Sequence, residues 1–134
     1  SKRYNGGLIN CVLGGTIENI TVEYSALGYN GSRAAFIGYL INSGDNGNNS
    51  IVIKDVTLVN RTTETAENVI AMCYGGDLNA TASKITITGV KVAGAFTFMA
   101  SQKSGTAGYD YKVDNLDLSG VTYLTLEEYE NAQI

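Results

Sequence analysis

Apolar residues recur along this chain in a six-residue pattern: apolar, any, then Asn, Asp or Gly, apolar, any, apolar. Four copies are read: Ile17-Glu18-Asn19-Ile20-Thr21-Val22, Ile53-Lys54-Asp55-Val56-Thr57-Leu58, Ile87-Thr88-Gly89-Val90-Lys91-Val92 and Val113-Asp114-Asn115-Leu116-Asp117-Leu118. The second and third apolar positions alternate as a strand with one buried face requires. The first and second lie three apart, so a straight strand would turn them to opposite faces. A bend between them returns both to one side, and it falls on Asn19, Asp55, Gly89 and Asn115. These residue types tolerate positive φ. A corner repeated at one place in consecutive units predicts an all-β solenoid of about four stacked coils.

Each corner has a second apolar segment upstream: Leu8–Val12, Phe36–Leu40, Val69–Cys73 and Phe96–Met99. These are apolar at nearly every position, as strands covered on both faces would be. The unit is then strand, turn-rich connector, corner, strand, return loop. Successive corner motifs begin 36, 34 and 26 residues apart. The polar stretches 42–50, 75–83 and 101–108 all fall between upstream segment and corner, which predicts loops protruding from one edge of the stack. Thr62–Glu67 reads as a helical turn. Near the end, Thr125 followed three residues later by Glu128 predicts a short C-terminal helix with a capping box. Residues 1–124 are thus read as the repeat domain. Residues 125–134 form a cap over the last open coil, shielding its edge, or the start of a linker to a next domain.

Composition narrows the chemistry. The 134 residues suit one domain, and charged residues, at 16%, fall below the usual quarter. There is no Pro, Trp or His. Without His, Ser/His hydrolysis and most zinc chemistry are excluded. The net charge is −4 and the nine basic residues are scattered, with no basic run beyond the pair Lys2-Arg3, so nucleic-acid binding is not expected. No apolar run is long enough to span a bilayer. Residues 1–7 read as repeat rather than signal peptide, so the chain is expected to be a monomeric piece of a longer protein. Cys11 and Cys73 fall two units apart, near 10 Å at a coil spacing of about 4.8 Å, beyond disulfide reach. Both are expected as buried free thiols.

The first unit, Gly6-Gly7-Leu8-Ile9-Asn10-Cys11-Val12-Leu13-Gly14-Gly15-Thr16-Ile17-Glu18-Asn19-Ile20, resembles the GLUG repeat of bacterial surface proteins, found in IgA-peptidase-like and adhesin-like proteins. That repeat has a glycine pair, Leu-Ile/Val, a Gly-containing link and Ile-x-Asn. The match covers 15 residues, and later units keep the apolar columns and corner without the glycine pair. The resemblance implies a right-handed parallel β-helix in a secreted or cell-surface bacterial protein. It carries over no catalytic residue, because the repeat is structural.

Candidate chemistry is sparse. Asp110, Asp114 and Asp117, beside Tyr109 and Tyr111, form the densest acidic cluster, and paired carboxylates on a β-helix face can cleave sugars. Against catalysis, the outward column Glu18, Lys54, Thr88 and Asp114 mixes signs as a solvated ladder does. The loops around Asp45 and Asp77 hold one Asp each, too few for a calcium loop, so no metal or cofactor is expected. Tyr39, Tyr74, Asp77, Tyr109 and Tyr111 fall near the loop edge, where rings can stack on a sugar or a protein partner. Asn-x-Ser/Thr occurs at Asn19, Asn30, Asn48, Asn60 and Asn79. The expected function is a non-catalytic stalk or adhesin-like module binding carbohydrate or a host surface protein. The alternatives are a polysaccharide lyase or glycoside hydrolase using Asp110, Asp114 or Asp117, and a phage-fibre repeat.

Overall fold

A computed structural model describes residues 8–27, 35–41, 50–66, 69–74, 85–97 and 117–133. The strands are β1 (Ile9–Val12), β2 (Gly15–Tyr24), β3 (Ile37–Ile41), β4 (Ile51–Asn60), β5 (Ile70–Tyr74), β6 (Ile85–Thr88), β7 (Val90–Ala93) and β8 (Val121–Leu124), followed by helix α1 (Leu126–Ala132). The upstream apolar segments build one sheet, β1-β3-β5. The corner strands build a second, β2-β4-β7-β8, with β6 also on β4. Every pairing is parallel. From β1 to β6 the chain passes alternately between the sheets, so each strand pairs with one from the neighbouring unit. Parallel partners need such a crossover connection.

Registers bring like residues together. In the second sheet Ile17, Ile53 and Ile87 form one row, as do Ile20 and Val56, and Val22, Leu58 and Val92. In the first sheet Ile9, Ile37 and Ile70 align. These rows face each other in a single apolar cluster, in which Ile37, Leu40, Ile51, Val56, Leu58 and Val92 are fully buried. Each such side chain contributes about 1.5–3 kcal/mol through burial.

The backbone turns at the positions where the hydrophobic pattern breaks step. Asn19, Asp55 and Gly89 have φ of 58°, 52° and 61°, the left-handed region. Ile17 and Ile20 therefore both reach the core although three residues separate them. At Gly89 a Cβ would fall on Asp55 Oδ1 of the neighbouring strand. Glycine is thus required there by space as well as by φ.

The fourth rung differs from the sequence reading. β8 lies on β7 with Val90 opposite Val121 and Val92 opposite Tyr123. The partner of β7 is thus Val121–Leu124 and not the Leu116–Leu118 of the sequence pattern; Leu118-Ser119-Gly120-Val121-Thr122-Tyr123 fits the six-residue pattern equally well, with Leu118–Val121 closed into a turn by a bond from Val121 N to Leu118 O at 3.1 Å. Gly120 takes the corner place of that hexapeptide, without the left-handed φ of Gly89; Asn115 lies outside the described residues. Gly120 is held by contact: a Cβ there would strike the carbonyl oxygen of Ile87. The motif-to-motif interval from Ile87 to Leu118 is then 31 residues rather than 26, closer to the earlier 36 and 34.

Three further expectations are corrected. Cys11 is exposed rather than buried. It occupies the row of Tyr39 and Met72, whereas Val12 next to it sits in the buried row with Leu40. β1 is moreover an outer strand of its sheet. Cys73 is level with Leu40, so the two cysteines differ in row as well as in unit. Second, β1 does not begin in a strand segment covered on both faces: Leu8 is 60% exposed and Leu13 45%. Third, residues 62–64 form bends, not a helical turn, because Asn60 and Thr62 take up their backbone groups.

Helix α1 has the expected cap. The Thr125 hydroxyl accepts from Glu128 N, and the Glu128 carboxylate accepts from Thr125 N at 2.9 Å. Seven residues form little helix unaided, and packing supplies the rest. Tyr129 is 8% exposed and packs with Val59 and Ala93, fully buried, and with Leu124 and Leu126. Val59 follows the core residue Leu58, so it points out of the opposite face. The helix therefore turns back over the outer face of the second sheet, across β8, β7 and β4. The edge of β8 is left open among the described residues.

Candidate functional site

Of the acidic cluster, only Asp117 lies among the described residues. It does not continue the row the sequence pattern gave it; the row Thr21, Thr57, Lys91 continues into Thr122. Asp117 is exposed and accepts from Ser119 N at 2.9 Å, closing a side-chain turn before Gly120. Hydrogen bonds from the Ser119 hydroxyl and backbone hold its carboxyl below the usual carboxylate value. Such a carboxylate accepts hydrogen bonds; a general acid at neutral pH needs the opposite shift. A shallow cavity of about 210 Å³ lies beside it, lined by Ile85, Thr86, Ile87, Thr88, Ser119 and Gly120. Asp117 is the one ionisable side chain in its wall. Asp110 and Asp114 lie outside the described residues.

The outer face of the second sheet presents short rows of polar residues. Glu18, Lys54 and Thr88 align, as do Thr21, Thr57, Lys91 and Thr122. Opposite charges neighbour one another and threonines fill the remaining places. Exposed pairs of this kind contribute little energy but avoid repulsion between neighbouring strands.

Of the ring candidates, Tyr39 and Tyr74 are placed on neighbouring strands of the first sheet, Tyr39 opposite Cys11 and Met72, Tyr74 opposite Ile41. Asp77, Tyr109 and Tyr111 lie outside the described residues. Tyr39 and Tyr74 are thus brought to one sheet, on neighbouring strands and two register positions apart.

The residues with the richest local bonding were missed by the reading of the chain. Asn60 is 1% exposed and uses every polar group of its side chain. Its Nδ2 donates to Glu64 O at 2.7 Å and to Ala95 O at 2.9 Å, in the next unit. Its Oδ1 accepts from Thr62 N and from the Thr62 hydroxyl. The sequence showed Asn60 only as an Asn-x-Thr site; its burial and two committed donors make it a structural clamp. Next to it, Arg61 donates to Glu23 Oε1 at 2.9 Å and to Glu130 Oε1, tying β2 to α1 across β4. Both carboxylates hold the Arg61 guanidinium in its charged form. Tyr24, whose hydroxyl donates to Ala35 O at 2.6 Å, meets Phe96 edge-on at 6.1 Å. The buried clamp had no signature beyond one Asn among many. The ion pair joins residues 69 apart, a distance no local pattern spans.

Among the described residues no three His, Cys, Asp or Glu come together as a metal site would. No described helix is long and apolar enough to cross a membrane. Comparison of the chain with protein-family models, with curated proteins and with solved structures finds no match.

Proposed function

We propose that this chain is a non-catalytic right-handed parallel β-helix segment of a secreted or cell-surface bacterial protein. It serves as a stalk or adhesin-like module that holds carbohydrate or a host surface protein at its loop edge. One observation carries this reading. Strands alternate between two parallel sheets in register, with left-handed corners at Asn19, Asp55 and Gly89. Crossovers between parallel strands are right-handed in nearly all proteins, which favours a right-handed coil. The GLUG-like first unit points to the bacterial cell surface. A scaffold of repeated rungs suits spacing and display, and the polar outer face of alternating signs suits solvent. Tyr39 and Tyr74, near the long loops, are the described members of the proposed contact edge.

The test is retention without turnover. The protein immobilised on a surface is exposed to a panel of bacterial and host polysaccharides and glycoproteins. Saturable retention of one class, weakened in Tyr39→Ala and Tyr74→Ala and unaccompanied by reducing-sugar or uronide release, is the expected result. Sugar release lost in Asp114→Asn or Asp117→Asn would overturn it in favour of a polysaccharide-cleaving enzyme.

A further inference from the structure

The buried apolar residues fall into two clusters on opposite sides of the second sheet. The larger fills the space between the sheets; the smaller joins Val59, Ala93 and Tyr129, with Leu124 and Leu126 packed against them. Tyr129 and Leu126 come from α1, so departure of the helix takes the smaller cluster apart and leaves the larger untouched. A small cluster under one short element is where a fold opens locally. Once free, the seven residues of α1 would not stay helical.

Charge decides how firmly the helix is held. Glu130 sits in the last turn of α1, where no basic residue answers it and the helix dipole disfavours an acid. Glu23, on β2, is a second carboxylate directed to the same place. Arg61 stands between them: its guanidinium donates to Glu23 Oε1 at 2.9 Å and, through its other terminal nitrogen, to Glu130 Oε1. The mount of Arg61 is fixed, because its backbone N donates to Tyr24 O at 3.0 Å and the neighbouring Asn60 is buried and bonded to the next unit. All three charged side chains are partly exposed, so dissolved salt reaches them.

We infer that α1 is a strap latched by charge, which opens and closes over Val59, Ala93 and Leu124 while both sheets stay folded, with Arg61 as the latch. With Arg61 in place the contact is a net attraction, which salt weakens. Without it two carboxylates face each other, and salt screens a repulsion instead. Removing one side chain therefore reverses the direction in which salt moves the helix.

Hydrogen exchange at fixed pH, read between about 20 and 500 mM NaCl, tests this. Amides in 126–133 are expected to be less protected than those of β4 and β7 at every salt concentration, and their protection to fall about two- to fivefold across the range. In Arg61→Gln the protection of 126–133 should be lower at low salt and rise as salt is added. In Glu130→Gln, which removes the carboxylate on the helix, the response to salt should be lost. The β4 and β7 amides of each variant report that the sheets are intact. A helix that exchanges only as slowly as β4 and β7 would overturn the strap. A wild-type helix indifferent to salt, an Arg61→Gln helix whose protection still falls with salt, or an unchanged response in Glu130→Gln would overturn the latch.

Discussion

Asn19, Asp55 and Gly89 do one job with three side chains. Each holds φ near +60°, where a residue with a Cβ is disfavoured by about 1–2 kcal/mol unless it is Asn or Asp. Asn19→Gly should therefore leave the urea midpoint nearly unchanged, while Asn19→Val should lower stability by about 1–2 kcal/mol. Gly89→Ala should cost more, about 2–3 kcal/mol, because the added Cβ meets Asp55 as well as an unfavourable φ. Asn60 is the other residue on which much depends. Asn60→Ala removes two donors and an acceptor from a buried site, leaving Glu64 O and Thr62 N without their bonds to it, so a loss of about 2–3 kcal/mol is expected by urea denaturation. Cys11 gives a chemical check. In the folded chain it should react with a maleimide or an aromatic disulfide, because it is exposed. Burial of its surroundings raises its pKa, so the rate should keep rising with pH beyond the range of an ordinary thiol. A Cys11 that reacts only after unfolding would refute its place on the outer row.

At the scale of elements, α1 combines a local signal with a tertiary one. Its start was readable because Thr125 and Glu128 satisfy each other's backbone groups without outside help. Thr125→Ala should cost about 1 kcal/mol of helix stability. The Glu128 carboxyl is held below its usual value by the bonds with Thr125. The folded pKa lies below the unfolded one, so this contribution is present above the unfolded value and lost as pH falls through the folded one. Amide protection in 126–133, taken relative to the intrinsic exchange rate at each pH, should therefore fall on acidification, and Thr125→Ala should abolish that pH dependence. Where the helix goes was not readable, because Val59 and Ala93 look like core residues from their strands alone. Tyr129→Ala should release the helix, at a loss of about 1.5–3 kcal/mol, while leaving the sheets intact. Limited proteolysis within 126–133, with strand content followed by circular dichroism, checks both parts.

For the whole molecule, the stack is stabilised by rows, so the effect of one truncation depends on the rung it sits in. Leu58→Ala, in a fully buried middle rung, should cost about 3–5 kcal/mol. Val22→Ala, in the same row but on the outer strand, should cost about 1 kcal/mol, since less surface is lost. Equal losses at the two positions, measured by urea denaturation, would show that the outer edge of β2 is covered.

By itself the sequence determined the unit of this protein: two apolar strands, a corner of Asn, Asp or Gly, and a capped terminal helix. These rest on local constraints, on which φ a residue tolerates and on which face its neighbours need. The acidic residues near the fourth corner were legible as residues, but their alignment was not. Tertiary structure decided that Val121 and Tyr123, not Leu116 and Leu118, continue the row of Val90 and Val92, since both hexapeptides satisfy the same pattern and only register against β7 separates them. The same register moved Asp117 out of the Thr21–Thr57–Lys91 row and put Cys11 on an outer one. It left both ends of the second sheet exposed among the described residues. Periodicity reports which side chains share a face; pairing across the stack decides which of them meet.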